Sequence, residues 1–470
     1  MRRIYSTIAL VLISSFLFAQ EPVGTWYGNL NLKGLQLPLV FHITKNGTEY
    51  STKMDSPNQR AIGMPTSKTT LEINILTIEA TNIGMKYTGV FMPDSNKING
   101  IFEQGPTRAP LTLSNKPNTN LLVKSGPRPQ DPKDFPYKQE EITFTNANGG
   151  HTLAGTLTLP ADGKASKIVV LISGSGPQDR NEESPGLNHR PFLVLSDALT
   201  RQGIAVLRYD DRGVGKSTGV FQMATSADFA DDAEAAVKYI LSRPELKEMS
   251  IGLIGHSEGG MIAPMVASRN SNVKFIVSMA APAIPIFQLF TQQLESLQKQ
   301  SGMSAAKAAQ EAAINLKIFA TIKNTKNLPL DQASTEVEQI YRKELSQQTI
   351  VKPDSAAIEA NFKQTINSLK MPWFRYFIAF DPAEYLTKVQ CPVLAINGKL
   401  DYQVSAKENL AAIKAGLEKA GNKNFEIVPM EGLNHLFQKA ITGYGAEYEK
   451  IEETINPAVL HKIATWINSI

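Results

Sequence analysis

Six short runs of almost unbroken apolar residues recur in the second part of the chain, and helix-forming segments separate them. A strand that is apolar along its whole length is buried on both faces, whereas a strand with one face in water alternates apolar and polar residues. Buried strands that alternate with helices predict a parallel sheet covered on both sides. The six runs are residues 168–172, 205–209, 251–254, 275–279, 393–396 and 425–428.

One interval between these runs is too long for a simple connection. Residues 284–386 have a helical pattern rich in Ala, Gln, Lys and Leu, and no further apolar run interrupts them. A crossover connection between parallel strands, including its helix, needs only about a dozen residues or somewhat more. The interval therefore predicts a helical lid or cap domain, inserted between two strands of the sheet.

Residues 20–115 have a different pattern, in which apolar and polar residues alternate in short segments. Turn signals such as Asn46-Gly47 and Pro93-Asp94 separate these segments. Short, evenly spaced strands predict a small all-β domain, either a barrel or a sandwich. The alternating segments are residues 37–44, 71–79 and 87–92.

A segment rich in Pro, Asn, Lys and Asp, residues 116–138, follows this region and predicts a semi-rigid linker. An α/β domain over residues 139–470 comes next. The chain has 470 residues, 42% hydrophobic and 20% charged, which is typical of a globular protein with more than one domain. Its net charge of +4 is spread along the chain without a basic block, so no nucleic-acid partner is expected.

The first residues have the layout of a secretory signal peptide. Arg2 and Arg3 precede an apolar run over residues 8–18, and Ala19 follows it. A membrane span needs about 20 apolar residues, so cleavage after Ala19 is favoured over a retained anchor. We expect a signal peptide over residues 1–19, no stable membrane span after cleavage, and export to the periplasm or the medium.

The motif Gly255-His256-Ser257-Glu258-Gly259 follows the run 251–254 and precedes a helix-like segment. This is the G-x-S-x-G pattern in the strand–turn–helix context of a nucleophile elbow. The tight turn needs small residues on both sides of the serine, and the helix directs its positive N-terminal end at a developing oxyanion. The motif predicts Ser257 as a nucleophile.

The elbow, the strand rhythm and the position of the helical insertion resemble the α/β-hydrolase superfamily. More narrowly, three segments resemble exported bacterial carboxylesterases related to the serine-peptidase hydrolases. The resemblance covers residues 139–470 and implies an α/β-hydrolase fold with a helical cap. The three segments are Ile172-Ser173-Gly174-Ser175-Gly176-Pro177, Tyr209-Asp210-Asp211-Arg212-Gly213-Val214-Gly215-Lys216-Ser217 and Gly432-Leu433-Asn434-His435.

A serine nucleophile needs a base that an acid orients, and the chain order in such a fold is Ser, acid, His. His435 follows the last predicted strand, whereas His461, the other histidine beyond the elbow, lies in a C-terminal helical run. We therefore predict His435 as the base. Asp401 follows the strand 393–396 and is the predicted acid, which the resemblance also implies; Glu408 lies deeper in the next helix.

An oxyanion hole needs two backbone N–H groups. One is expected from Glu258, the residue after the nucleophile. The other is expected from the glycine-rich loop after residues 168–172, where the related enzymes carry His-Gly. We assign it to Ser175, with Gly174 and Gly176 as alternatives.

The densest aromatic stretch of the chain, residues 372–377, lies near the end of the predicted cap. Trp373, Phe374 and Tyr376 are therefore candidates for the lining of an acyl pocket. The alternative, that the stretch forms the apolar core of the cap, is equally open.

These residues together predict a serine hydrolase that cleaves small-molecule esters of small to medium acyl groups through an acyl-enzyme, with no metal or organic cofactor. An exopeptidase or amidase of the same superfamily is the first alternative, although no acidic pair for a substrate amine is evident. A ligand-binding protein with a degenerate hydrolase domain is the second, and the complete Ser, Asp and His set argues against it. The oligomeric state is left open.

Overall fold

The computed structural model describes residues 21–32, 35–57, 61–105, 107–116, 127–184, 187–346 and 355–470. These residues form two compact units, one up to residue 116 and the other from residue 127 onward. The predicted signal peptide lies outside the described residues, as does part of the predicted linker.

The first unit is a closed antiparallel barrel. Its strands are β1 (Gly24–Leu32), β2 (Leu35–Asn46), β3 (Glu49–Ser56), β4 (Ala61–Pro65), β5 (Lys68–Glu72), β6 (Ile75–Ala80), β7 (Met85–Met92), β8 (Lys97–Gln104) and β9 (Thr107–Ser114). All of them except β4 close the ring, because β2 pairs with β3 as well as with β1, and β4 pairs beside β3. Buried side chains that include Trp26, Phe41 and Tyr87 fill the interior. Of the two predicted all-β architectures, the barrel is the one present.

The prediction of one continuous strand over residues 71–79 is wrong, because these residues form a hairpin. β5 ends at Glu72 and β6 begins at Ile75, so that Leu71 lies opposite Leu76. Ile73 forms the turn with a φ of 58°, a left-handed conformation that a β-branched residue rarely adopts. The alternation of apolar residues continues through the turn, and the sequence pattern therefore conceals it.

The second unit is built on an eight-stranded sheet in the order β10-β11-β13-β12-β14-β15-β16-β17. The first two strands form an antiparallel hairpin, and the pairings from β13 through β17 are parallel. The strands are β10 (Lys138–Asn146), β11 (His151–Leu159), β12 (Lys167–Ile172), β13 (Ala205–Tyr209), β14 (Ser250–His256), β15 (Val273–Met279), β16 (Val393–Gly398) and β17 (Phe425–Met430).

Both faces of this sheet are buried. Successive residues of β12 contribute to two different apolar clusters, Ile168 and Val170 to one, Val169 and Leu171 to the other, because neighbouring side chains of a strand point to opposite faces. The helices are α1 (Pro191–Arg201), α2 (Ser226–Ser242), α3 (Glu258–Ala267), α4 (Ile286–Gln300), α5 (Ala305–Asn324), α6 (Leu330–Ser346), α7 (Ser355–Leu369), α8 (Pro372–Ile378), α9 (Ala383–Leu386), α10 (Ala406–Lys419) and α11 (Pro457–Ser469).

Helices α2, α3 and α10 pack on one face of the sheet, and α1 and α11 pack on the other. Helices α4 to α9 occupy the interval between β15 and β16 and build an apolar cluster of their own, which includes Phe319, Val337 and Ile378. The predicted α/β-hydrolase fold with a helical cap is thereby confirmed. Within the described ranges, no helix is both long enough and apolar enough to cross a bilayer.

Candidate active site

The turn between β14 and α3 places Ser257 at the carboxyl edge of the sheet. Ser257 has φ 52° and ψ −120°, a strained conformation for a residue other than glycine. The residues two positions before and after it must be glycine, because a Cβ at Gly255 would collide with the carbonyl oxygen of Gly259, and a Cβ at Gly259 with that of Ile172. The predicted elbow is therefore present in its strained form.

Three residues that are far apart in the sequence meet above this turn. His435 Nε2 lies 3.2 Å from Ser257 Oγ, so that the hydroxyl can donate to the ring. His435 Nδ1 lies 2.7 Å from Asp401 Oδ2. The carboxylate accepts a hydrogen bond from Nδ1–H. This leaves Nε2 without a proton, so that it can accept a hydrogen bond from the serine hydroxyl.

The loops that follow β16 and β17 hold these side chains. Asp401 is fully buried, and its Oδ1 accepts the backbone N–H groups of Gln403 and Val404 at 2.8 and 2.9 Å. Asn434, also buried, accepts the N–H groups of Leu436 and Gln438 through its Oδ1 and so shapes the loop that carries His435. The positions of Asp401 and His435 therefore depend on buried hydrogen bonds within the loops that carry them.

A second carboxylate–imidazole pair, which the sequence analysis missed, lies beside the first. His256 Nδ1 donates to Glu182 Oε1 at 2.9 Å, and His256 Nε2 donates to the backbone oxygen of His435 at 2.9 Å. Burial lowers the pKa of His256, but Glu182 and the His435 carbonyl outweigh that effect, and the pKa is raised. His256 thus supports the loop that carries His435.

The glycine-rich loop after β12 approaches the elbow. The Gly174 N–H donates to Glu182 Oε1 at 2.8 Å and is therefore already engaged. Ser175 Oγ donates to Glu258 Oε2 at 2.7 Å. Across the part of the chain that the structure describes, no acceptor lies within hydrogen-bonding distance of the Ser175 N–H. Ser175 is thus a better candidate than Gly174 for the second oxyanion donor.

A cavity of about 330 Å³ opens beside Ser257 and His435. The cap contributes apolar side chains, and the core domain contributes most of the polar ones. The lining residues that the following sections use are Ser175, Gln178, Glu182, Leu289, Phe290, Trp373 and Phe377.

Only one of the three predicted pocket residues, Trp373, lines this cavity. Phe374 packs inside the cap, with its ring centroid 6.1 Å from that of Phe290, and Tyr376 lines a separate cavity of about 570 Å³. The prediction is wrong for Phe374 and Tyr376 because the stretch is a helix, α8, whose residues face different directions. Trp373 and Phe377, four residues apart, share the face on the cavity. The proline at residue 372, typical of the first helical position, is the sequence signal for the start of this helix.

The described residues include no group of three or more His, Cys, Asp or Glu side chains arranged to hold a metal ion.

The family model for the serine aminopeptidase S33 hydrolases matches residues 190–438, more than half of the chain. The chain belongs to this family. The matched segment of this S33-family chain contains Ser257, Asp401 and His435 and the whole of the cap.

Among curated proteins, the chain is similar to esterase EstD of Thermotoga maritima, with 28% identity over 382 residues that cover 80% of this chain and 75% of that protein. Among solved structures, it is similar to the esterase Pf2001 of Pyrococcus furiosus, at 16% identity and a TM-score of 0.42 over 72% of this chain and 95% of that one. Est1E from Butyrivibrio proteoclasticus is similar at 15% identity and a TM-score of 0.39, over 70% and 98%.

Proposed function

We propose that the protein hydrolyses carboxylic esters of small to medium acyl groups through an acyl-enzyme intermediate. The observation that carries this proposal is the continuous chain of hydrogen bonds from Ser257 Oγ through His435 to Asp401, at 3.2 and 2.7 Å, beside a cavity that can hold a small substrate. The name of EstD, an esterase, supports the choice of an ester bond.

In the first half-reaction, Ser257 Oγ attacks the ester carbonyl carbon while its proton moves to His435 Nε2. Asp401 stabilises the imidazolium that forms, because its carboxylate accepts a hydrogen bond from Nδ1–H, with Nδ1 and Oδ2 2.7 Å apart. The tetrahedral intermediate collapses as His435 returns the proton to the leaving alkoxide. In the second half-reaction, water gives a proton to His435 Nε2 while its oxygen bonds to the acyl carbon. The second tetrahedral intermediate then breaks its bond to Ser257 Oγ, to which His435 returns the proton, and the acid is released.

The oxyanion of each tetrahedral intermediate would be bound by the backbone N–H groups of Glu258 and Ser175. Glu258 is the first residue of α3, so its N–H belongs to the positive end of a helix. Donors of this kind act in a buried site, where each one contributes about 10²–10³-fold to the rate.

The composition of the cavity supports an ester with an apolar acyl group. Leu289, Phe290, Trp373 and Phe377 line it from the cap. A volume of about 330 Å³ lies at the lower end of the range for small-molecule sites. We propose that this apolar wall receives the acyl chain.

An exopeptidase would need carboxylates to bind the substrate amine. Among the described residues that line the cavity, Glu182 is the one carboxylate, and its Oε1 already accepts from His256 and Gly174. No acidic pair therefore stands ready for an ammonium group in the described part of this cavity. This observation favours the ester over the peptide, although the family is named for an aminopeptidase.

We also propose that the protein is exported, with cleavage after Ala19. The basic residues Arg2 and Arg3 and the short apolar run over residues 8–18 support this proposal. Cell fractionation followed by determination of the mature N-terminus tests it, and a protein retained in the cytoplasm with residue 1 intact would contradict it.

A panel of p-nitrophenyl acyl esters and aminoacyl-anilides, tested on the wild type and on Ser257→Ala, examines the activity. We expect ester turnover that disappears in the variant, together with loss of labelling by a fluorophosphonate. Anilide cleavage faster than ester cleavage would support the peptidase instead. Absence of turnover and of labelling in the wild type would refute a hydrolase.

A further inference from the structure

The carboxylate of Glu258 lies buried directly beside the nucleophile. The residue is 2% exposed, and burial raises its pKa. Among the described residues, none of the Lys, Arg or His side chains forms an ion pair with it. A buried acid without a cation is costly unless its hydrogen bonds compensate. The reason for keeping an acid at this position must therefore lie in its hydrogen-bond donors.

Three neutral donors from three different parts of the fold converge on this carboxylate. Ser226 Oγ, at the start of α2, donates to Oε1 at 2.6 Å. Ser175 Oγ, in the loop after β12, donates to Oε2 at 2.7 Å. Trp373 Nε1, in helix α8 of the cap, lies 3.0 and 3.2 Å from the two oxygens. Two acceptor oxygens are required for this arrangement, which only a carboxylate provides in full.

Two of these bonds concern the proposed oxyanion hole. The backbone of Glu258 contributes one N–H group of the oxyanion hole. The side chain of Glu258 holds Ser175, which contributes the other N–H group. On the opposite side of the same loop, Glu182 Oε1 accepts the Gly174 N–H at 2.8 Å. The loop is thus held from both sides, and the direction of the Ser175 N–H follows from the two bonds.

The third bond connects this arrangement to the substrate cavity. Trp373 lines the cavity beside Ser257, and its ring stacks on Phe377 with centroids 4.7 Å apart. A cap helix that moved away from the core would break the Trp373–Glu258 bond. The carboxylate of Glu258 therefore binds both the cap, through Trp373, and the loop with the second N–H donor, through Ser175.

We propose that Glu258 is a positioning residue, whose carboxylate sets the spacing of the two oxyanion donors and ties that spacing to the docking of the cap through Trp373. This inference rests on the proposed hydrolase function, because it concerns the same site. Glu258 acts through Ser175 and Trp373, and its side chain does not touch the reacting atoms. A displacement of about 1 Å in such a site can lower a rate by about 10²-fold.

The test compares four single variants and two double variants. Glu258→Gln keeps the shape of the side chain but only one acceptor oxygen, so Ser175 or Ser226 loses its partner. Ser175→Ala removes the hydroxyl and keeps the backbone N–H. Trp373→Phe removes the indole N–H and keeps an aromatic ring. Ser226→Ala is the matched control, since it removes a donor to the same carboxylate, at the oxygen that Ser175 does not bind.

We expect kcat for p-nitrophenyl butyrate to fall about 10- to 100-fold in Glu258→Gln and in Ser175→Ala, with KM within about threefold of the wild type. The affinity for an alkylboronic acid, which places an oxygen in the oxyanion hole, should fall in parallel. Ser226→Ala should change kcat by less than about threefold. The double variants Glu258→Gln/Ser175→Ala and Glu258→Gln/Trp373→Phe should lose no more than Glu258→Gln alone, since coupled residues are not additive.

Thermal unfolding separates positioning from a merely structural role. Glu258→Gln removes a buried charge but also loses one buried hydrogen bond, so its melting temperature should stay close to that of the wild type even as kcat falls. The inference is overturned if Glu258→Gln keeps the wild-type kcat and boronate affinity, or if the losses in the double variants multiply. Labelling of Ser257 by a fluorophosphonate requires no ester, so it reports on the oxyanion geometry even if the esters of the panel are not substrates.

Discussion

At the scale of single residues, the tautomer of His435 depends on its hydrogen bond to Asp401. One oxygen of the carboxylate accepts two backbone N–H groups, and the other lies 2.7 Å from His435 Nδ1. The acid is therefore fixed as an acceptor and holds the tautomer whose Nε2 faces Ser257 without a proton. An amide at this position could instead donate to Nδ1 and would favour the opposite tautomer.

We expect Asp401→Asn to lower kcat by about 10⁴-fold with little change in KM, as in other Ser-His-Asp sites. Initial rates that are normalised by fluorophosphonate titration of the remaining active sites provide the measurement. Glu408→Gln is the control, because Glu408 lies in α10 and accepts from Ser405 instead. A wild-type kcat in Asp401→Asn would show that Asp401 is not the acid.

Glu182 raises the pKa of His256, and its removal should be visible in the titration of that ring. In Glu182→Gln the charge that raises the pKa of His256 is gone, so burial dominates and the pKa falls. The neutral ring loses one of its two donated bonds, which loosens the support of the His435 backbone, and we expect kcat to fall about tenfold.

NMR of ¹⁵N-labelled imidazole measures the His256 titration directly. Glu183→Gln is the control, because Glu183 pairs with Arg190 instead. An unchanged His256 titration in Glu182→Gln would contradict the proposed pair.

The sequence predicts Ser257, Asp401 and His435 because each follows a strand of one parallel sheet, and the carboxyl ends of such strands share an edge. The structure brings the three together. It adds Glu182, which no local pattern marks, since its partner His256 is 74 residues away. Contacts of this kind depend on how a loop folds back over the sheet, and the composition of the loop does not reveal it.

At the scale of elements, helix α8 separates two environments. Trp373 and Phe377 face the cavity beside Ser257, whereas Tyr376 faces the separate cavity of the cap. The aromatic content of this stretch is evident in the sequence, but its helical phase decides which rings meet a substrate. Ile73 shows the same limit in the barrel, where a turn interrupts an apparently continuous pattern of alternation.

We expect Phe377→Ala to shift the preference among p-nitrophenyl esters towards longer acyl chains, because the loss of the ring enlarges the cavity beside Ser257. Ratios of kcat/KM along a series from acetate to decanoate measure the shift. Tyr376→Ala is the matched control on the same helix and should leave the ratios unchanged. An equal shift in both variants would show that α8 acts through cap stability and not through the cavity.

At the scale of the whole molecule, each unit has an apolar core of its own, and the second unit also buries ionisable groups. His189 is one of these: burial lowers its pKa to about 3, from an ordinary value of 6.5. The fold thus keeps the ring neutral, while the unfolded chain takes up a proton below about 6.5. The stability that depends on the neutral ring is complete above about 6.5 and is lost as the pH falls towards about 3.

We therefore expect the free energy of unfolding to decrease across that pH interval, and to decrease less steeply in His189→Gln. Urea denaturation at several pH values, followed by circular dichroism, gives the slopes. His461→Gln is the control, because His461 is exposed on α11. A slope in His189→Gln equal to that of the wild type would assign the acid sensitivity to other groups.

The chain leaves the sheet at the end of β15 for the cap and returns to it in β16, and these two strands are direct neighbours with parallel pairing. Asn409 Oδ1 holds the departure point by accepting the N–H groups of Ala283 and Ile284 at 2.8 and 3.2 Å. The helices in between could consequently be replaced without any change in strand order. A grafted cap that keeps a donor in the place of the Trp373 indole, which binds Glu258 in the core, would then present a new substrate range to Ser257.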